Sequence, residues 1–489
     1  MTTRADQATA PAPATTWDVV CDTARMLWPG TVVTEGRPLD GTRTDWRRAP
    51  GHVGTSQSGQ WSRRPDPTGV SDRRAGKLNG VTSEATAHEA AGEVLREYLV
   101  LPDRRRPRIA VPLVDGPAAG AVVAHALRKH SHGSGFVQRV LRTALAYAVR
   151  LPSAYRLTGT VVGSRLTVRQ TRDALAEPAR HESFEDHLAT IFGSTAVFAF
   201  GVGPPRANRK PVLHALTPGG RTLGFVKLGT NDVTRALVRA EAEALRMLAS
   251  GGREPATFRT PAVVHHGQWR GLEVLVLEDL AAAPPPRGSG RGTGRPGRRG
   301  APVAAMRELA ELHGTSSSAL AESPFWRRVR TTPDAVRHPA RSERFARIVS
   351  AVESRYGATD LTLGLWHGDW TPWNMAWSGG GVLLWDLERC AAGVPLGFDL
   401  AHFEMQRVLQ SRGERQARDH TLRLARGERQ LPGQATGFAG NDPGAVWAAY
   451  LVELARRYSI DCDTPWGAPL VARTTWLLDL LDDLLRVRS

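Results

Sequence analysis

Two aspartates and an asparagine are spaced in this chain so that they can manage a phosphate and a divalent cation. Residues 367–374 read His-Gly-Asp-Trp-Thr-Pro-Trp-Asn, and the apolar run 381–385 ends at Asp386. Asp369 and Asn374 sit on one tight loop, and Asp386 ends the strand that follows. A lone loop aspartate is ordinarily a turn or cap residue. Three oxygen-bearing side chains converging at one end of a hairpin, flanked by Trp366, Trp373 and Trp385, are harder to explain by folding alone. Phosphoryl transfer calls for such a set, because its catalysis is mostly positioning and charge stabilisation. One carboxylate accepts the proton of the attacking hydroxyl, and Asp369 is the natural choice. Magnesium takes oxygen ligands and keeps several waters, so one or two carboxylates plus substrate phosphates hold it. Asp386 and Asn374 can supply the protein's share.

The phosphates also need a cation from the opposite side of a cleft. Of 64 basic residues only Lys77, Lys129, Lys210 and Lys227 are lysines. Lys227 lies inside an apolar strand predicted over 222–228, where a compact ammonium suits a phosphate. The helix predicted over 233–249 carries Leu237, Glu241, Ala244, Leu245 and Leu248 at helical spacing. Glu241 can pair with Lys227, and Glu243 competes for that role. Further strands at 196–200, 212–217 and 272–277 complete a small antiparallel lobe. The loop after the first strand holds Gly201 and Gly203, then Arg206, Arg209 and Lys210, whose cations suit phosphates as well as a solvated turn. Beyond residue 301 the pattern is mainly helical, interrupted by one β-like stretch at 363–387.

With these residues set out, a resemblance becomes specific. His367-Gly368-Asp369 with Asn374, then Asp386-Leu387-Glu388, then Gly393-Val394-Pro395-Leu396-Gly397-Phe398-Asp399-Leu400-Ala401 resemble the phosphotransferase family that includes aminoglycoside phosphotransferases and choline kinases. The helical segments 239–248 and 308–313 are similar to that family too, and the likeness runs from residue 183 to residue 489. It implies an α+β, bilobal protein-kinase-like fold: a small antiparallel β lobe with one main helix, and a larger, mostly helical lobe. It further implies that Asp369 is catalytic, that Asn374 and Asp386 bind magnesium, and that Lys227 with Glu241 positions phosphate. Gly201 and Gly203 would line the nucleotide phosphates. Glu278 and Leu280 would fall in the hinge whose backbone meets the purine of ATP, with GTP left open. Asp399, at a helix start, would be structural, since a carboxylate there caps free amides. Gly368 stands where protein kinases carry an arginine, and Trp385-Asp386-Leu387 replaces their Asp-Phe-Gly. A small-molecule hydroxyl is therefore the expected acceptor, placed by family geometry near Glu404, Tyr450, Glu453 and Trp476.

Composition sets the outer limits. The formal charge of +16 is an arginine effect and reads as drift in a GC-rich genome rather than as a nucleic-acid surface. A hydrophobic fraction of 41% supports a real core. Cys21, Cys390 and Cys462 are too far apart for a zinc site or a disulfide framework. No apolar run approaches the roughly 20 residues of a membrane span, so a cytoplasmic enzyme is expected. Residues 1–105 read as largely flexible and 106–180 as a small α/β module, with a helix at 136–151 and a strand pair within 157–168. The two lobes occupy 181–283 and 301–489, separated by an Arg/Gly/Pro-rich flexible insert at 284–300. That insert lacks the aromatic residues that stack bases, which argues against RNA binding. From residue 442 onward seven acids face five arginines, so a polycationic acceptor is not singled out. The alternative to a kinase is a catalytically inactive kinase-fold scaffold, which the N-terminal module and the insert would suit.

Overall fold

A computed structural model describes residues 15–36, 91–101, 104–113, 121–122, 164–171, 182–201, 209–251, 254–280, 300–378, 381–464, 467–468 and 470–486. Gly203, the 136–151 helix, most of the first hundred residues and nearly all of the insert lie outside them.

The described residues form a mixed α+β structure. Its largest sheet is built from β1 (Thr31–Gly36), β2 (Ala91–Leu101), β3 (Ile109–Pro112), β4 (Ser164–Thr171), β5 (Val197–Gly201), β6 (Val212–Leu216), β7 (Thr222–Gly229), β9 (Val263–Trp269) and β10 (Leu272–Leu277). Their order is β1-β4-β2-β3-β5-β6-β7-β10-β9, and every neighbouring pair is antiparallel. Here the structure departs from the expectation of a module standing before the kinase-like lobe. β3 pairs with β5 through Ile109↔Gly201 and Ala110↔Phe200, so the N-terminal strands continue the same sheet. Trp28, Tyr98, Phe184, Phe198 and Phe200 share one buried cluster across that junction. Trp28 stacks on Phe198 with ring centroids 4.9 Å apart. The physical reason is that β5 would otherwise be an edge with unpaired amides, and β3 covers it. Helix α1 (Thr16–Leu27), capped by a Thr15–Asp18 box, packs its Trp17, Val20, Ala24 and Leu27 face on this sheet.

Helix α2 (Phe184–Phe192) opens on a Ser183–Asp186 capping box, and α3 (Asp232–Ser250) on an Asn231–Thr234 box. In α3 the buried residues Leu237, Val238, Glu241, Ala242, Ala244, Leu245 and Leu248 trace a 3.6-residue stripe. Glu243 is exposed on the far face.

The second half is mostly helical: α4 (Val303–Glu311), α5 (Pro339–Tyr356), α6 (Phe398–Arg412), α7 (Glu414–Ala425), α8 (Pro443–Asp461) and α9 (Leu470–Leu485) are its longer helices. A three-stranded sheet holds β11 (Ser316–Ala319), β12 (Asp360–Trp366) and β15 (Ala391–Pro395). A second joins the hairpin β13 (Met375–Ser378) and β14 (Gly381–Leu384) to the two-residue strand β8 (Phe258–Arg259), parallel to β14. That parallel pair ties the two halves together. Glu308 of α4 strengthens the tie by accepting the Ala256 and Thr257 amides at 2.7 and 2.8 Å. Phe398 anchors the core below, edge-on to Trp366 and Phe325 with centroids 5.3 Å away in each case.

Candidate active site

The hairpin does what its spacing promised. Met375 pairs with Leu384, and the Trp385 amide donates to the Asn374 carbonyl at 3.1 Å. Asp386 therefore emerges beside Asn374. Its φ of 66° is left-handed, a conformation aspartate tolerates better than most residues and one that turns its carboxylate out of the strand line. Asn374 donates from Nδ2 to the Asp369 carbonyl at 3.0 Å and to Asp369 Oδ2 at 2.9 Å. Both hydrogens of that amide serve Asp369, which leaves Asn374 Oδ1 as the oxygen on offer.

Lys227 meets this group from β7. Its Nζ donates to Glu241 at 2.5 and 2.7 Å and also to Asp386 Oδ1. Glu241 is fully buried, whereas Glu243 points away, so the choice left open by the sequence falls to Glu241. Burial acts to lower the Lys227 pKa, but the Asp386 and Glu241 carboxylates outweigh it and hold the ammonium charged. A second lysine lies close by. Lys210 forms an ion pair with Glu388, and burial, reinforced by the charge of Lys227, lowers its pKa to about 8. Next to it Arg209 keeps Nε and Nη2 buried without a hydrogen-bond partner among the described residues. Gly201 ends β5 opposite Val212. Glu278 and Leu280 follow β10 directly. The Glu278 amide is spent on the Ala262 carbonyl at 3.1 Å, its carboxylate lies 3.9 Å from Arg259, and Leu280 is buried.

The loop that carries Asp369 is held from beneath by His367 and Asp399, and its turn needs Gly368. Gly368 has φ 83°, and a Cβ there would run into the Arg389 backbone, so a side chain at this position is excluded both by conformation and by space. His367, fully buried, donates from Nε2 to the Trp385 carbonyl at 3.0 Å and accepts the Asp369 amide on Nδ1 at 3.2 Å. Burial lowers its pKa to about 4, in keeping with that neutral tautomer. Asp399 is structural, but not as a cap of its own helix: α6 begins at Gly397 without a side-chain cap. Instead the carboxylate reaches back to the His367 and Gly368 amides at 2.8 and 3.2 Å, and burial pushes its pKa up to about 6.

The residues expected near an acceptor are mostly committed elsewhere. Glu404 is held by Arg407 at 2.5 Å, and Tyr450 is buried behind His402. Glu453 binds both Arg456 and Arg457, and Arg457 in turn donates to the Gly368 carbonyl at 2.7 Å while lying 4.4 Å over the Trp366 ring. Trp476 packs beneath Arg473. Glu404, Tyr450 and Glu453 are thus supports rather than open acceptor groups, since a buried charge must be paired within the protein. One consequence is measurable. Burial would raise the Glu453 pKa, but Arg457 and Arg456 overcome it and depress it from 4.5 to about 2. A depressed acid contributes stability above its unfolded pKa and loses it as pH falls through the folded one. Between pH 4.5 and about 2 the thermal midpoint is expected to fall, and Glu453→Gln to flatten that limb. Identical acid limbs in the two proteins would remove Glu453 as the cause.

Residues 224–438, which span Lys227, Glu241, Asp369, Asn374, Asp386 and Asp399, match the model of the phosphotransferase enzyme family. That match covers 215 of the 489 residues, so the likeness to this family rests on the middle of the chain. The matched segment begins within β7 and ends between α7 and α8, so it contains the side chains just described except those of α8 and α9 and those that precede β7, Lys210 and Arg209 among them. Solved structures of phosphotransferases are similar at low identity. A thermostable mutant of an aminoglycoside phosphotransferase, in its apo form, is 14% identical, with 62% of this chain and 98% of that one covered and a TM-score of 0.39. An aminoglycoside phosphotransferase from Alicyclobacillus acidocaldarius is 15% identical, covering 58% and 89%, with a TM-score of 0.26. A spectinomycin phosphotransferase solved with ADP and spectinomycin is 14% identical, covering 61% and 96%, with a TM-score of 0.31. No curated protein matches at the sequence level. No helix among the described residues is long and apolar enough to cross a membrane.

Proposed function

We propose that this phosphotransferase is an ATP-dependent, magnesium-assisted kinase of a hydroxyl group on a small molecule. The observation that carries the reading is the meeting of Asp369, Asn374 and Asp386 with the Lys227–Glu241 pair on one cleft, from elements as far apart as β7 and the β13–β14 hairpin. The donor set fits magnesium: one carboxylate from Asp386 and the side-chain oxygen of Asn374, the remaining positions being left to nucleotide oxygens and water. The bound ion would neutralise charge on the phosphates. Lys227, aimed by Glu241, would hold phosphate oxygens as a point charge, and Lys210 and Arg209 add positive charge beside it. The Glu278 carbonyl and the Leu280 N–H are the backbone groups for a purine edge. Asp369, with its side chain 44% exposed, would take the proton of the acceptor hydroxyl as it attacks. Burial works to raise its pKa, but the hydrogen bond with His402 outweighs that and keeps it below the ordinary value, so the carboxylate is ionised and able to accept.

The expected acceptor is small because Gly368 and Trp385-Asp386-Leu387 leave no activation-loop device of the protein-kinase type. The test is a nucleotide titration followed by thermal unfolding. ATP with magnesium should raise the midpoint in the native protein and should do so far less in Asp386→Ala. A shift that is equal in both proteins, or that is unaffected by chelating the magnesium, would count against the metal assignment. Screening a panel of sugars, amino alcohols and related hydroxyl compounds for phosphate transfer then identifies the acceptor.

A further inference from the structure

We propose that His402 is a positioning residue for Asp369, held in its Nε2–H tautomer by the hydroxyl of Tyr450. This role rests on the reading of Asp369 as the group that accepts the hydroxyl proton. His402 lies on α6, three residues beyond Asp399, so that one turn of helix supports the catalytic loop twice: Asp399 through the His367 and Gly368 amides, His402 through the Asp369 side chain. The imidazole is 3% exposed. Its Nε2 is 3.0 Å from Asp369 Oδ1 and its Nδ1 is 3.0 Å from the Tyr450 hydroxyl, which α8 supplies from the other side.

The protons can be placed by elimination. An ionised carboxylate only accepts, so the hydrogen between His402 and Asp369 belongs to Nε2. The second ring nitrogen, Nδ1, faces the Tyr450 hydroxyl, and in the proposed Nε2–H tautomer it accepts that hydroxyl's hydrogen. The other neighbour of that hydroxyl is Met405 Sδ at 3.9 Å, a long contact to a weak acceptor, so the hydroxyl gains most by pointing at Nδ1. Tyr450 is 1% exposed and fixed edge-on against Phe398 and Trp447, which prevents it from drifting away. The order of donation is Tyr450 to His402 to Asp369.

The effect falls on the carboxylate. Asn374 Nδ2 holds Oδ2 at 2.9 Å and His402 Nε2 holds Oδ1 at 3.0 Å, so each oxygen of Asp369 has its own donor and the plane of the group is set. The side chain is still 44% exposed, so lone pairs remain accessible from outside. With His402 gone, Asp369 would hinge on Asn374 alone and could rotate about its last torsion. Misplacement of a catalytic group by about 1 Å costs on the order of a hundredfold in rate.

The experiment uses the full-length protein and has two readouts. In the first, ADP release is followed with magnesium, ATP and an acceptor drawn from the hydroxyl panel. His402→Ala is expected to lower kcat on the order of tenfold to a hundredfold with KM for ATP unchanged, and His402→Gln, which keeps a terminal N–H, to restore part of the loss. In an Asp369→Asn background, His402→Ala should cost nothing further. The second readout needs no acceptor. In protein labelled with ¹⁵N-histidine, the His402 signal, assigned through His402→Gln, should show the Nε2–H tautomer, shift in Asp369→Asn, and lose its tautomeric purity in Tyr450→Phe. Unchanged kcat in His402→Ala overturns the proposal. So does His402→Gln failing as badly as His402→Ala with the thermal midpoint reduced in both, or a His402 signal that ignores Asp369→Asn. Turnover surviving in Asp369→Asn would sink the proton-acceptor reading itself, and would do so with the spectral coupling intact, which separates the two failures.

Discussion

Asp369→Asn is expected to lower phosphate transfer on the order of 10²- to 10⁴-fold while leaving magnesium-dependent nucleotide binding in place. The substitution conserves shape but removes the carboxylate proposed to take the proton, and none of the nucleotide contacts proposed above passes through this side chain. The geometry also predicts a secondary cost. Asp369 presently accepts from two donors, Asn374 Nδ2 and His402 Nε2. An amide can satisfy only one of them with its oxygen and must turn its own hydrogens toward the other. A loss of about 1–3 kcal/mol in stability is therefore expected, the usual consequence of an unmatched buried polar group. Transfer of labelled phosphate from ATP to the acceptor, with nucleotide-dependent unfolding measured in parallel, checks both parts. Native-like turnover in this variant would mean that proton removal is not rate-relevant or is performed by another group.

The second large effect is expected at Lys227. In Lys227→Met the fully buried Glu241 loses its counter-charge, and a stranded buried carboxylate costs on the order of 3–5 kcal/mol. Asp386 suffers less, because its side chain is 35% exposed and water can solvate it. Nucleotide affinity should disappear in the same variant, but a destabilised protein can lose affinity for trivial reasons. The double variant Lys227→Met/Glu241→Leu separates the two, since a buried ion pair replaced by apolar side chains of similar size is often neutral or stabilising. Urea unfolding should find much of the stability restored in the double variant, whereas a nucleotide titration should find binding still absent. Recovery of both would show Lys227 to be a structural partner of Glu241 and nothing more.

The two halves of the site differ in how far they could be read from the chain. Asp369, Asn374 and Asp386 lie within a single loop and hairpin, and short-range geometry leaves such residues few places to go. Their convergence was visible in the spacing, and so was the lysine-bearing strand. The choice between Glu241 and Glu243 was not. Two residues apart on a helix point to nearly opposite faces, and only the docking of α3 on the sheet decides which one is buried against Lys227. The acceptor side fared differently. Glu453 and Tyr450 look like binding groups in a list of polar residues. Glu453 is instead locked to two arginines and Tyr450 to His402. His402 itself was passed over. Its one signal was a position three residues after Asp399 on a predicted helix, which places both side chains on the same face.

By itself the sequence determined the local parts of this protein: the loop that presents Asp369, the hairpin that delivers Asp386, the apolar strand around Lys227 and the capped helices α2 and α3. Each is written in spacing over a few residues, where backbone geometry permits few alternatives. Only the tertiary structure decided that β3 pairs with β5 to carry the N-terminal strands into the same sheet, and that Asp399, His402, Tyr450 and Arg457 converge beneath the loop that carries Asp369. Those contacts join residues tens of positions apart. Their partners are chosen by which surfaces bury together and which buried polar groups must find a mate, and no local pattern encodes that choice.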